Sequence, residues 1–323
     1  MIEKYYDGAI EQVAAGLGTV EKNYLLVRYS GQFSVENLND TKQLEKNEDI
    51  FVQVHEFETG EITCAYEPYL TMICDGFRRY MTGTFEEFME TCDVYYLHRP
   101  VLLGYFNQDN TGREEIILLD EVAYEQERML AALERMLCAI ADRHPVLFVL
   151  NRFQLASKST MQLTARFLKC ENCNIGLVLG VSDIQAMPEF LVPDWEMLYE
   201  TLDDGSKIYH IGNSGRKKEE TIDDEKYVDY GSEKVYRKLQ NMVEFLDFDQ
   251  AAYYLETIER KIKFDNLLVD DAARFRMWLL FVKVSILRQD IPKALEICED
   301  LEKIHLAGKE EECAYEQDYL IAT

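Results

Sequence analysis

The sequence predicts a parallel α/β domain followed by an all-α region. Three observations carry this: five short apolar runs without strict alternation, helix-period stretches between most of them, and a change after Gly215 to a charged and then purely helical pattern. Strands buried on both faces read as continuous apolar runs, because neither side of their sheet meets water. Such runs separated by helices are the pattern of a parallel sheet.

Taken in order, residues 5–15 read as a helix, and residues 23–29 (Asn-Tyr-Leu-Leu-Val-Arg-Tyr) as the first strand, closed by Ser30 and Gly31. The second strand, 50–55, is Ile-Phe-Val-Gln-Val-His, and 66–97 then reads as mainly helical with a break near Gly83. Over 121–143, Val122, Met129, Leu130, Leu133, Met136, Leu137 and Ile140 recur at threes and fours while charged residues take the other face. That spacing predicts a long amphipathic helix ending before Pro145. The third strand is 145–150, Pro-Val-Leu-Phe-Val-Leu. A shorter helix over 157–169 has Ser159 or Thr160 available as its cap, with Met161, Ala165 and Leu168 on one face. Residues 175–181 and 207–211 are the fourth and fifth strands.

This divides the chain into an α/β domain over 1–213, a charged linker over 214–234 and a helical region over 235–323. Residues 216–234 hold five basic and seven acidic side chains and little apolar periodicity, the composition of an exposed linker. Beyond it, Asp247-Phe248-Asp249-Gln250-Ala251-Ala252 matches Asp290-Ile291-Pro292-Lys293-Ala294-Leu295 at a spacing of 290 − 247 = 43 residues. An Asp turn, an apolar residue and a small Ala in each copy resemble a tetratricopeptide-like helical hairpin. The alternative is an ordinary helical bundle with two similar turns.

Charge and composition narrow the functions. With 34 basic and 60 acidic side chains the net charge is 34 − 60 = −26, which repels phosphate backbones and anionic headgroups. We expect no nucleic-acid and no membrane partner. The N-terminus lacks the basic start and apolar stretch of a signal peptide, and the longest apolar-rich run, 277–287, carries Lys283 and is too short for a span. Eight cysteines spread along such a chain are expected to be reduced thiols in the cytoplasm. Cys170 and Cys173 have zinc-ligand or redox spacing, but no second pair accompanies them.

Residues 144–183 carry a family likeness. An apolar strand, an aromatic-containing turn (Asn151-Arg152-Phe153-Gln154), a Ser/Thr-started helix and a second apolar strand ending at Ser182 and Asp183 follow one another. This resembles the Walker B and sensor region of the STAND class of AAA-like signalling ATPases. Residues 65–70 (Ala-Tyr-Glu-Pro-Tyr-Leu) resemble a further segment of that class, and the likeness covers roughly 20–212. It implies a P-loop NTPase-like parallel sheet with flanking helices, followed by tetratricopeptide-like helices.

Two departures bear on activity. A working phosphate loop ends in Gly-Lys-Ser/Thr, whereas the turn after the first strand is Tyr29-Ser30-Gly31-Gln32-Phe33-Ser34-Val35-Glu36-Asn37. Where the resemblance implies two metal-supporting acids, Asn151 and Arg152 stand instead. A competing acid pair, Asp120-Glu121 after four apolar residues, serves equally as the acidic first turn of the helix that follows. The expectation is a degenerate ATPase domain with no catalytic residues, no metal and no cofactor. Any vestigial nucleotide pocket implied by the resemblance would comprise Ser30, Gly31, Asn37, Asn151, Arg152 and Asp183.

The expected function is a non-catalytic regulatory or scaffold module of a bacterial signalling protein that binds a protein partner through 235–323. The resemblance implies the N-terminal part of a multidomain protein, such as a diguanylate cyclase, and the helical pattern runs to Thr323 without a Gly or Pro stop. The alternative is a signalling ATPase that takes ATP and magnesium through a non-standard phosphate loop at Ser30 and Gly31.

Overall fold

A computed structural model describes residues 2–19, 23–29, 49–58, 61–108, 122–170, 174–182, 187–202, 208–211 and 229–304. Ser30, Gly31, Asn37, Asp120, Glu121, Cys173, Asp183 and most of the charged linker lie outside them. The chain forms two compact units, one of Met1–Arg113 with Arg128–Lys226 and one of Glu114–Glu127 with Tyr227–Thr323. Among the described residues no helix is long and apolar enough to cross a membrane.

The first unit is α/β. Its elements are α1 (Ile2–Gly16), β1 (Tyr24–Tyr29), β2 (Phe51–Glu56), α2 (Tyr69–Tyr80), α3 (Phe85–Thr91) and α4 (Arg99–Asn107). There follow α5 (Val122–Ala141), whose first turns belong to the second unit, β3 (Val146–Asn151), α6 (Lys158–Lys169), β4 (Ile175–Ser182), α7 (Val192–Leu202) and β5 (Ile208–Ile211). The five strands form one sheet in the order β2-β3-β4-β1-β5, and every pairing is parallel. Every residue of β3 and β4 is buried, which is why these segments read as continuous apolar runs.

The two faces of the sheet can be told apart by period-2 alternation. Leu25, Val27 and Tyr29, Leu147 and Val149, and Val178 pack with Tyr6, Ala9, Ile10 and Val13 of α1. The opposite face carries Phe148, whose ring lies 4.7 Å from Tyr69 of α2 and 6.4 Å from Phe167 of α6. Helix α1 approaches β4 closely because Gly176 and Gly180, on its side of the strand, have no side chain. A Cβ at Gly176 would press on Val13 and Leu147, and one at Gly180 would overlap the Tyr6 hydroxyl.

One local expectation needs correction, and one is met. The cap of α6 is neither Ser159 nor Thr160 but Ser157, in extended conformation, whose Oγ accepts from the Thr160 backbone N–H at 3.2 Å. The helix therefore starts early enough to take Ser159 and Thr160 into its first turn. The predicted stretch 66–97 holds two helices, α2 and α3, separated at Gly83 as expected, and α4 follows beyond it. The break at Gly83, at φ +91°, is followed by a capping box in which Thr84 and Glu87 each accept from the other's backbone N–H.

The second unit is helical: α8 (Glu233–Glu244), α9 (Phe248–Phe264), α10 (Asp271–Leu287) and α11 (Ile291–Leu301). The 43-residue correspondence extends to the backbone. The α8–α9 turn puts Leu246 at φ +65°, and the α10–α11 turn puts Gln289 at φ +60°. Asp247 N donates to Met242 O and Leu246 N to Val243 O; Asp290 N donates to Ser285 O and Gln289 N to Ile286 O. Each is a Schellman closure, with the 6→1 and 5→2 bonds that end a helix through one left-handed residue. The small residues Ala251 and Ala294 are buried at matching places in α9 and α11. Lys293 of α11 reaches the buried carboxylate of Glu259 in α9 at 2.8 Å, and Lys263 reaches it at 2.7 Å.

Candidate functional site

In open parallel sheets, ligands bind beyond the carboxyl ends of the strands. That edge is where the resemblance places the phosphate loop after β1, the metal-supporting acids after β3 and the sensor after β4. Tyr29 and Ser182 are register partners at the ends of β1 and β4, and Glu56 and Asn151 are register partners at the ends of β2 and β3. The backbone thus brings the three positions to one edge. Of the six residues expected there, only Asn151 and Arg152 are described.

Asn151 continues the series Leu147, Val149 on the α1 side of β3, and it is fully buried. Its Oδ1 accepts a 2.7 Å hydrogen bond from the Tyr29 hydroxyl and a longer one, at 3.5 Å, from the Tyr6 hydroxyl. Tyr6 and Tyr29 are themselves 0% and 1% exposed, so ring carbon fills the space between α1 and the sheet edge. Burial pushes the Tyr29 phenol up to about 12, with Arg152 and the Asn151 bond acting in the opposite direction. Tyr6 is raised well above the usual phenol range by burial, then by Tyr29 and Glu56. Both hydroxyls are therefore neutral donors at physiological pH, the form that suits an amide oxygen.

Arg152 combines a left-handed backbone with a carboxylate partner. It sits at φ 52°, ψ 42°, opening a short 3-10 turn over Phe153–Leu155, and its guanidinium lies 3.2 Å from the Glu56 carboxylate. Behind it Gln154 copies a strand: its Nε2 donates to Ser182 O at 3.2 Å and its Oε1 accepts from Ser182 N at 3.3 Å. The Asn151 amide thus meets the two phenols, the Arg152 guanidinium the Glu56 carboxylate, and the Gln154 amide the Ser182 main chain. Among the described residues no group of three or more His, Cys, Asp and Glu side chains could hold a metal ion.

The hydroxyls at the start of α6 form a structural seam. Tyr66 N donates to Ser159 Oγ at 3.0 Å, Thr160 Oγ1 donates to Glu67 O at 2.9 Å, and Tyr69 Oη lies 2.6 Å from Thr164 Oγ1. The 65–70 segment noted in the sequence is what α6 binds through its hydroxyls. Ser157, Ser159 and Thr160 are buried.

Tyr6, Tyr29, Glu56 and Gly180 belong to the site and were not among its expected residues. Glycines within an apolar strand were the available signal, since an interior strand glycine often marks a close approach by another element. A scan of protein-family models finds no match to this chain, and a search of curated proteins finds none.

Proposed function

We propose that this chain is a non-catalytic regulatory or scaffold module, in which an ATPase-like α/β unit has lost nucleotide chemistry and the helical unit binds a protein partner. The observation that carries this reading is the polar arrangement at the end of β3. Asn151 occupies the place of an acid, and the hydroxyls of Tyr6 and Tyr29 converge on its side-chain oxygen. Hydrolysis of a nucleotide needs a metal-supporting acid and a way to orient water; an amide held by two phenols supplies neither. The helical unit fits an interaction role because its turns repeat at one spacing, so that successive hairpins present successive faces. The reading extends to a cytoplasmic signalling protein in which this module precedes an output domain such as a diguanylate cyclase.

Calorimetry of the full chain with ATP and magnesium tests it. The expected result is no heat of binding with or without the metal. Micromolar, magnesium-dependent binding that disappears when Ser30 and Gly31 are substituted overturns the reading in favour of a signalling ATPase.

A further inference from the structure

The sequence places Cys170 in a Cys-x-x-Cys spacing that the regulatory reading leaves unused, and the fold gives it a different neighbour. Its Sγ lies 3.6 Å from the Sγ of Cys138, 32 positions earlier. Cys138 is on α5, and Cys170 is the first residue past the last turn of α6. One turn earlier in both helices, Arg166 Nε meets Glu134 Oε2 at 2.7 Å. The pairs Glu134–Arg166 and Cys138–Cys170 are successive rungs between the same two helices, and the ion pair sets the register that brings the sulfurs together. Both cysteines are partly exposed, whereas Cys74 and Cys92 are buried.

We propose that Cys138 and Cys170 are a reversible redox pair, converted by a low-molecular-weight disulfide into a covalent staple between α5 and α6. A disulfide needs its sulfurs at about 2.05 Å and therefore an approach of about 1.5 Å. Cys170 can supply it, because its backbone at φ −66°, ψ 143° has left the helical hydrogen-bond ladder on one side. The exchange balances in two steps. The Cys170 thiolate attacks one sulfur of the small disulfide, forming a mixed disulfide and expelling one small thiolate. The Cys138 thiolate then attacks Cys170 Sγ, forming the protein disulfide and expelling the second. Two protein thiols are oxidised, one small disulfide is reduced to two thiols, and the two protein protons end on those thiols. Burial, the Cys170 sulfur and the carboxylates of Glu134 and Asp142 hold Cys138 in its protonated form.

The test is to incubate the full chain with oxidised glutathione, block the remaining thiols, digest without reduction and map the bridges by mass spectrometry. The expected product is a Cys138–Cys170 linked peptide with loss of two thiols, reversed by dithiothreitol and retained in Cys173→Ser. Cys138→Ser is expected to lose the bridge and leave Cys170 as a glutathione adduct. A Cys170–Cys173 bridge in the unmodified chain, or adducts on Cys138 and Cys170 with no link between them, overturns the proposal. Because the mapping on the unmodified chain needs no variant to fold, and no ATP, it stands or falls apart from the reading of the sheet edge.

Discussion

The carboxyl edge of the sheet and the turns of the helical unit hold their polar groups in opposite ways. At the edge, Asn151 is tied to Tyr6 and Tyr29 across 145 and 122 positions of sequence. In the turns, the closing bonds join residues a few positions apart, such as Asp247 to Met242 and Asp290 to Ser285. The two turns are built from different side chains, Phe245-Leu246-Asp247 and Arg288-Gln289-Asp290, yet reach the same backbone. A local closure depends on main-chain geometry and tolerates side-chain change. A long-range one depends on each participant having its one counterpart.

That contrast can be broken most strongly at Asn151. Asn151→Ala removes the acceptor that two buried hydroxyls use and opens a gap, and is expected to cost about 4 kcal/mol in urea unfolding. A loss under about 1 kcal/mol would mean that the edge is as tolerant as the turns.

The next effect appears in alkali. Because burial raises the folded-state value of Tyr29 to about 12, above an unfolded value of about 10, its contribution is complete below about pH 10 and is lost as pH rises toward the folded value. Stability should fall there by about 1.4 kcal/mol per pH unit for this one phenol. Tyr29→Phe should make the alkaline slope shallower by that amount, whereas an unchanged slope would place the Tyr29 hydroxyl in water.

The smallest effects compare the two turns directly. Leu246 is buried and Gln289 exposed, although both are left-handed. Leu246→Gly relieves the backbone but gives up a buried side chain, for a net loss of about 2 kcal/mol. Gln289→Gly only relieves the backbone and should stabilise by about 1 kcal/mol. Thermal melting of the two variants should therefore shift in opposite directions, and a loss of stability in both would show that glycine relieves no backbone strain at Gln289.

The strands were legible because burial on both faces writes continuous apolar runs. Their last residues were not, and these form the site. Polar Glu56, Asn151 and Ser182 read as the beginning of loops, yet each is the final residue of a strand, since ladder bonds are made by the main chain whatever the side chain. Helices α4 and α7 have no counterpart among the predicted elements, and Pro100 and Pro193 stand in their first turns. In the first turn of a helix a proline gives up only an N–H that has no partner within the helix. The matching turns of the second unit showed through because 43-residue spacing is a property of the sequence itself. The convergence of Tyr6 on Asn151 did not, because helical periodicity identifies an apolar face without naming what it meets.

The position of Tyr6 also has a meaning in time. Synthesis proceeds from the N-terminus at about 5–20 residues per second, and Asn151 follows Tyr6 by 145 positions. Tyr6 is synthesised about 7–30 s before its acceptor exists, and Gly180, which makes room for its hydroxyl, comes later still. Through that interval the apolar stripe of Tyr6, Ala9, Ile10 and Val13 has no sheet to cover, so the nascent chain offers chaperones an early handle. The order of manufacture makes this edge of the sheet one of the last places in the α/β unit to become native.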